Sequence, residues 1–529
     1  MQSYPAIFNQ VLGPVTPGPS SSSTGGPGRI GLLCRDLLGE QPIHARFEFD
    51  SKSSMKYSYI GMNTDKALIS GLLGKKPPQP NFPNAREDAK KAGMEVEFVF
   101  LDVDIPGDVQ GIKVILKGKS GFETVLVTNS TGGGTCIVQE IDGVLTDIKG
   151  DHYELLLMTE SKDAAVLEAI AAKAAPYAKS LNAINCLIGK KEISIVELKT
   201  GEPFSDADLE AIKAIDGVKY IRVVNPVHPV VANKKLKPPF TTPEEMVAYG
   251  EEHGLNLFEL AIAYETAVSG WSREAVIDHA TFLWGVIKNS IEKGLSKEQP
   301  LVGYVRTSAT EMKDFTESPA ALNLGALNYA TYASQAVMEY SNSMGVIVCI
   351  PTGGSSGIVP GVLYGIGKDR GLSDEKLVEG LLAAGMIGGM MAYHTNFSGK
   401  WGCQAEVTSG ATMATGGLLY LMGASVQQCC DGASMTLQAL LGLVCDSVAG
   451  KVQVPCMARN VAAVATAMAN ANAVLSGFDV LLPFSEMIVA MVRVGEKIQN
   501  VGYACGCYST PTGLALAAES PEGQEVDKK

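Results

Sequence analysis

Over the first 150 residues, short runs of alternating apolar and polar positions are separated by Gly-, Pro- and Ser-rich stretches. MEVEFVFLDVD (94–104), GIKVILKG (111–118), ETVLVTNS (123–130) and TCIVQEIDG (135–143) alternate and are rich in Val and Ile, which predicts strands. STGGGT, joining the last two, reads as a turn, and TDKALISGLLG (64–74) as a short helix closed by glycine. Residues 1–150 are therefore expected to form an α/β (α+β) domain. In 151–232 the period switches back and forth. HYELLLMTE predicts a strand, DAAVLEAIAAKAAPYAKSL a helix, NAINCLIG and EISIVELKT a strand pair, SDADLEAIKAI a helix with Ser205 as N-cap, and VKYIRVVNPV a closing strand. The order βαββαβ is the split-βαβ, ferredoxin-like pattern.

A proline-bearing linker, NKKLKPPFTTPEE (233–245), leads into a third part, and 244–520 reads almost entirely as helix. Gly and Ala punctuate it heavily, as closely packed helices require. The chain is thus expected to be multidomain, with a mainly α-helical C-terminal domain. One run there, VAAVATAMANANAVLSGFDVLLPF, lies in a stretch without basic residues between Arg459 and Arg493. It carries Asn470, Asn472 and Asp479, which would be costly in lipid, so a buried helix is expected and no membrane partner.

Composition narrows the function classes. The 529 residues carry 56 acidic against 43 basic side chains, a formal net charge of -13. That balance excludes a nucleic-acid coat, which needs clustered Lys and Arg to displace counterions from phosphate. No basic-then-apolar opening precedes a small-residue cleavage site, so the cytoplasm is expected. Eleven irregularly spaced cysteines do not make a disulfide scaffold and leave free thiols or metal thiolates as the open readings.

Three cysteines stand out by context: Cys403 in SGKWGCQAEV, Cys445 in GLVCDSVAGK and Cys456 in KVQVPCMARN, at spacings of 42 and 11. No CxxC pair is formed, so the short-spacing zinc and ferredoxin templates do not apply. On composition alone each is as readily a small buried hydrophobe as a ligand. Cys429 and Cys430 are neighbours on an expected helix, pointing about 100° apart, and read as structural.

The flanks decide between these readings. PTGGSSGIVPG (351–361), GCQAEV (402–407) and CDSVAGKVQVPCMARN (445–460) resemble the catalytic α region of the iron–sulfur-dependent L-serine dehydratases (L-serine ammonia-lyases). GPSSSSTGGP (18–27) resembles that family's GPSSSHT signature. GMNTDKALISGLLG (61–74) resembles its Gly-His-x-Thr-Asp segment, and STGGGTCIVQEIDG (130–143) its glycine turn. SMGVIVCIPTGG (343–354) and TPTG (510–513) fit as well, so the resemblance runs from about residue 10 to 515. It implies a serine-dehydratase β-type domain over 1–150, an ACT-like regulatory domain over 151–232 and an iron–sulfur catalytic domain over 244–520.

The resemblance implies further that Cys403, Cys445 and Cys456 hold a [4Fe–4S] cluster whose remaining iron is open as a Lewis acid, with no pyridoxal phosphate. Substrate contacts carried over are Ser20, Ser21, Ser22, Thr24, Asn63, Thr64, Asp65, Thr352, Gly353, Gly354, Ser355 and Gln404. A small amino acid, by default L-serine, is the expected substrate, an amino-acid effector is expected at the ACT-like domain, and a homodimer is implied. The family's histidines are absent: their places fall on Ser23, Met62 and, loosely, Ile105 before Pro106. Lys400, Lys451 and His394 are the expected replacements for proton transfer, a lysine among other cations being able to serve as a base. Two alternatives are sulfide elimination from cysteine and a non-catalytic sensor that keeps the cluster. Cys505 or Cys507 is a minor candidate to cap the open iron.

Overall fold

The computed structural model describes residues 4–51, 53, 59–76, 82–103, 105–106, 110–233, 235–296, 301, 303–395, 397–445, 447–498 and 506–519. Cys505 and the tail beyond 519 lie outside them. The chain divides into two compact units, one of residues 25–131 and 135–236, the other of residues 2–24, 132–134 and 237–529.

The first unit holds two sheets. A six-stranded sheet runs in the order β3-β2-β4-β5-β6-β7, formed by β2 (Pro42–Asp50), β3 (Glu95–Leu101), β4 (Gly111–Gly118), β5 (Glu123–Gly132), β6 (Thr135–Ile141) and β7 (Val144–Ile148). Central β2 pairs in parallel with β3 and antiparallel with β4. Its Ala45, Phe47 and Phe49 are fully buried, while Arg46 and Glu48 pair on the opposite face at 2.9 Å. The helices Gly26–Leu38 and Thr64–Leu72 contribute Ile30, Leu33, Leu68 and Leu72 to the same core.

A four-stranded antiparallel sheet follows, order β11-β8-β10-β9, from β8 (Tyr153–Thr159), β9 (Leu181–Leu187), β10 (Ser194–Thr200) and β11 (Tyr220–Val224). With the helices Ala164–Ala174 and Asp206–Lys213 it completes the βαββαβ order. Ser205 caps the second helix through a reciprocal capping box with Asp208, as its sequence predicts. The unbroken apolar run in β8 has a clear cause: Leu155 and Leu157 enter the core beneath these helices, whereas Leu156 and Met158 enter the core of the six-stranded sheet. A strand covered on both faces has no polar side to show. For the same reason the two expected N-terminal parts lie in one compact unit.

The second unit is helical apart from a small ribbon in which β1 (Val15–Pro17) pairs antiparallel with β12 (Val346–Val348). The helix Val407–Leu421 is its centre, buried at every residue from Val407 to Tyr420. Close helix approach explains the glycines: a Cβ on Gly361, in the helix Ile358–Arg370, would lie 2.7 Å from the Ala330 carbonyl of the helix Ala326–Asn342. Among the described residues, no helix is long and apolar enough to cross a membrane.

Candidate functional site

Three loops of the second unit carry the sequence-selected cysteines to one place. Cys403 opens a short helical turn ahead of the helix Val407–Leu421, and Cys456 begins the helix Cys456–Leu475. Cys445 lies in the loop between them, and Val448 N–H to Val454 O (3.0 Å) closes the 448–454 turn. The chain reaches Cys403 through Gly402, whose φ of +82° and extended ψ of 171° are open to glycine. A Cβ there would meet the Leu443 carbonyl at 2.4 Å. That close approach lets Gln404 N–H bond Leu443 O at 3.0 Å, two residues before Cys445.

The thiols of Cys445 and Cys456 both hydrogen-bond to the Cys403 sulfur. Those bonds, reinforced by the Arg459 guanidinium, hold Cys403 well below the ordinary thiol range against the opposing effect of burial. Cys456, sharing the same bond and buried, is pushed the other way. Arg459 stands one turn into the helix that Cys456 begins and donates to Val444 O at 2.8 Å, beside Cys445. Three sulfur donors with a thiolate already favoured make a soft set, suited to an iron–sulfur cluster or zinc and unsuited to Mg²⁺ or Ca²⁺.

The anion-binding features expected around the cysteines are assembled by the β1·β12 ribbon. It brings the serine loop after β1 against the Thr352–Ser356 turn after β12, so closely that a Cβ on Gly353 would lie 2.6 Å from Pro19 O and 2.8 Å from Ser21 N. Thr352, Gly353, Gly354 and Ser355 are buried, and Ser355 Oγ donates to Ile350 O at 3.0 Å. In the serine loop, Ser20 Oγ accepts from Ser23 N–H at 3.1 Å and lies 3.4 Å from Ser22 Oγ; Thr24 N–H bonds Ser20 O at 3.0 Å. Ser21 and Thr24 are buried. The glycine tip 132–134 belongs to this unit too, and a Cβ on Gly134 would meet Pro14 at 2.6 Å.

Two residues at the centre of this arrangement had no part in the sequence prediction. Glu406, half-buried three positions after Cys403, hydrogen-bonds Thr352. Burial, and then the neighbouring Cys403, raise its carboxyl to about 8. Its oxygens lie 3.8 Å from where a Gly354 Cβ would stand and 3.5 Å from that of Gly399. Asn460, one turn beyond Cys456, donates to Gly354 O at 2.7 Å and accepts from Gly357 N–H at 3.2 Å. A carboxyl in the quoted GCQAEV segment, and an amide four residues after a candidate ligand, were the available signals.

The other expected residues fall as follows. Gln404 is fully buried, with its amide engaged by Met491 O (2.9 Å) and Gly442 N–H (3.0 Å), and so anchors the loop. Lys451 lies 4.6 Å over the Tyr304 ring, and Lys400 is half-buried in the turn Gly399–Trp401. His394 is exposed. His253 stacks on Tyr249 and His279 packs against Phe8 and Trp271. Asn63, Thr64 and Asp65 belong to the first unit, where Arg86 pairs with Asp65 at 2.6 Å. Cys429 and Cys430 are buried, and burial raises the Cys429 thiol to about 12.

Comparison with known proteins covers this unit. A family model described as the serine dehydratase alpha chain matches residues 252–505. A probable L-serine dehydratase alpha chain of Bacillus subtilis (strain 168) is 30% identical over 291 residues, 55% of this chain and 95% of that protein. The L-serine dehydratase alpha chain of Peptoniphilus asaccharolyticus is 30% identical over 295 residues, 54% of this chain and 96% of that protein. L-serine dehydratase 1 of Escherichia coli (strain K12) is 33% identical over 271 residues, 50% of this chain and 58% of that protein.

Proposed function

Because the chain belongs to the serine dehydratase alpha-chain family, we propose that it is an L-serine dehydratase whose cofactor is a [4Fe–4S] cluster held by Cys403, Cys445 and Cys456. The observation that carries this is the convergence of those three thiols, one of them favoured as thiolate, beside the Glu406 carboxyl. When bound, a cluster with three protein thiolates supplies a Lewis-acidic iron that makes hydroxide a tolerable leaving group.

The chain's own groups do the remaining work. The backbone N–H groups of Gly353–Ser355, at the start of a helical turn, and the Ser20–Ser22 hydroxyls receive the substrate carboxylate. Glu406, fixed by Thr352, takes the α-proton; the β-hydroxyl leaves as water once that proton is gone. The resulting enamine tautomerises and hydrolyses to pyruvate and ammonia, so that the products sum to serine. Lys400 and Lys451 are the alternative bases, with His394 a third. The β11-β8-β10-β9 layer has the strand order expected of an ACT-type module, and an amino-acid effector there and a homodimer belong to the same proposal.

The test is anaerobic reconstitution with iron and sulfide, followed by iron analysis and assay of 2-oxo acid and ammonia from L-serine and L-cysteine. About four irons per chain and equimolar pyruvate and ammonia from serine are expected. Cys445→Ser should lose iron, and Glu406→Gln should keep iron and lose turnover. Unchanged iron in Cys445→Ser refutes the ligand set. A full cluster with turnover on cysteine alone refutes the substrate, and turnover on neither refutes the enzyme.

A further inference from the structure

The first unit contains a second set of ligand-type side chains that the dehydratase chemistry does not use. At the turn into β8, Asp151, His152 and Glu154 place one ligand atom each within 4.8 Å of one another. The backbone explains the clustering. Gly150 turns the chain at φ +69°, and its carbonyl accepts from Val227 N–H (2.8 Å) and His228 N–H (3.3 Å). Asp151 O accepts from Ala232 N–H at 2.7 Å, so the segment after β11 wraps the turn. His152 sits in the bend just before β8 and Glu154 is the second residue of that strand.

Several of these buried atoms lack the partner a protein-only network would give them. His152 is 6% exposed; its Nδ1 lies 2.7 Å from Asp151 Oδ1, and its Nε2 has no hydrogen-bond partner. Glu154 is fully buried: Oε1 takes Lys199 Nζ at 3.4 Å, and its carboxyl hydrogen-bonds that of Glu197. Glu197, on β10, lies 3.7 Å from Lys199 Nζ through Oε1 and accepts from Asn185 Nδ2 at 2.6 Å through Oε2, while His228 Nδ1 has no hydrogen-bond partner. Buried polar atoms are almost always paired, so the unpartnered His152 Nε2 beside these carboxyls calls for a ligand.

We propose that Asp151, His152 and Glu154 bind a first-row divalent cation, with Zn²⁺ as the reference ion, as a structural metal of the first unit. One imidazole and two carboxylates are borderline donors that select such ions over Mg²⁺ and Ca²⁺, which take all-oxygen shells. Ligand atoms on one tetrahedral zinc lie about 3.4 Å apart, from metal–ligand distances near 2.1 Å. The three ligand atoms, within 4.8 Å of one another, would have to close to that spacing on binding. Lys199 stays on Glu154 Oε1 and the Asp147 carbonyl, and the ion would take the place of the proton that Glu154 shares with Glu197. The ion would pin the turn to the first strand of the βαββαβ layer.

The test uses the full chain, freed of metal by chelation, with Cys403, Cys445 and Cys456 replaced by Ser to remove the sulfur donors. Cobalt(II) and then zinc are titrated by equilibrium dialysis, with cobalt spectra recorded. One equivalent is expected, giving visible ligand-field bands without thiolate charge transfer, and zinc should raise the melting temperature. His152→Asn and Glu154→Gln should each weaken binding more than about tenfold. Absence of a stoichiometric equivalent overturns the proposal, as does equal binding by both variants. Should the serine background fail to fold, the unsubstituted chain decides: all bound cobalt showing thiolate charge transfer would equally overturn it. None of these readouts depends on dehydratase activity.

Discussion

Asn460→Ala separates the loop that should hold the substrate from the cysteines beside it. Asn460 is fully buried and bridges the Cys456 helix to the Thr352–Ser356 turn, through Gly354 O at 2.7 Å and Gly357 N–H at 3.2 Å. Its third bond, to Cys456 O at 2.8 Å, supplements a carbonyl already placed to accept within the helix. Alanine therefore strands two buried backbone groups. At about 1–3 kcal/mol for each, the cost is about 2–6 kcal/mol. In a unit of this size that lowers the melting temperature by about 3–9 °C. The cysteines keep their own contacts, so iron per chain should stay at the parent value. Turnover of serine should fall, because the turn that abuts Pro19 and Ser21 loses its clip. Thermal melting, iron analysis and pyruvate assay on the same reconstituted samples read the three quantities. A melting temperature within about 2 °C of the parent, together with parent turnover, would refute the reasoning; lost iron with unchanged melting would show that Asn460 supports the cysteines instead.

Two further outcomes follow from buried geometry. Gly402→Ala puts a Cβ 2.4 Å from Leu443 O at a φ of +82°, for at least about 1–3 kcal/mol of strain, and should reduce iron retained after reconstitution; full retention would contradict the placement of Cys403. Glu265, fully buried and accepting from Ile7 N–H at 2.7 Å, is raised by burial from the usual 4.5 to about 7. The fold holds this proton more tightly than the unfolded chain, so its contribution is complete below pH 4.5 and is lost as pH rises to about 7. At about 1.4 kcal/mol per pH unit the loss is about 3 kcal/mol. Glu265→Gln should flatten that part of the denaturation profile, and an identical slope in parent and variant would rule it out.

How much of this was legible varies with the kind of signal. Ser205 and its acidic first turn announced a capped helix, and the capping box is there, because capping is decided within four residues. β2 was open to the same local reading but was not predicted: His44, Arg46 and Glu48 alternate with the buried Ala45, Phe47 and Phe49. β8 is different. Its run of leucines tells of two covered faces, yet not of which partners cover them, and only packing assigns Leu155 to one core and Leu156 to another. The six-stranded and four-stranded sheets were therefore expected as separate parts.

The site divides along the same line. Cys403, Cys445 and Cys456 could be selected from the sequence because their flanking motifs are specific, and their order along the chain needs no coordinates. That Glu406 and Asn460 stand among them could not be read in this way. Their significance comes from the β1·β12 ribbon and from the helices Val407–Leu421 and Cys456–Leu475, which bring segments about 100 residues apart into hydrogen-bonding distance. By itself the sequence determined local periodicity, caps and donor chemistry, which depend on neighbours in the chain. Only the tertiary structure decided which carboxyl stands beside a thiol and which buried atoms lack partners, because desolvation and hydrogen bonding are set by whatever the folded chain places alongside.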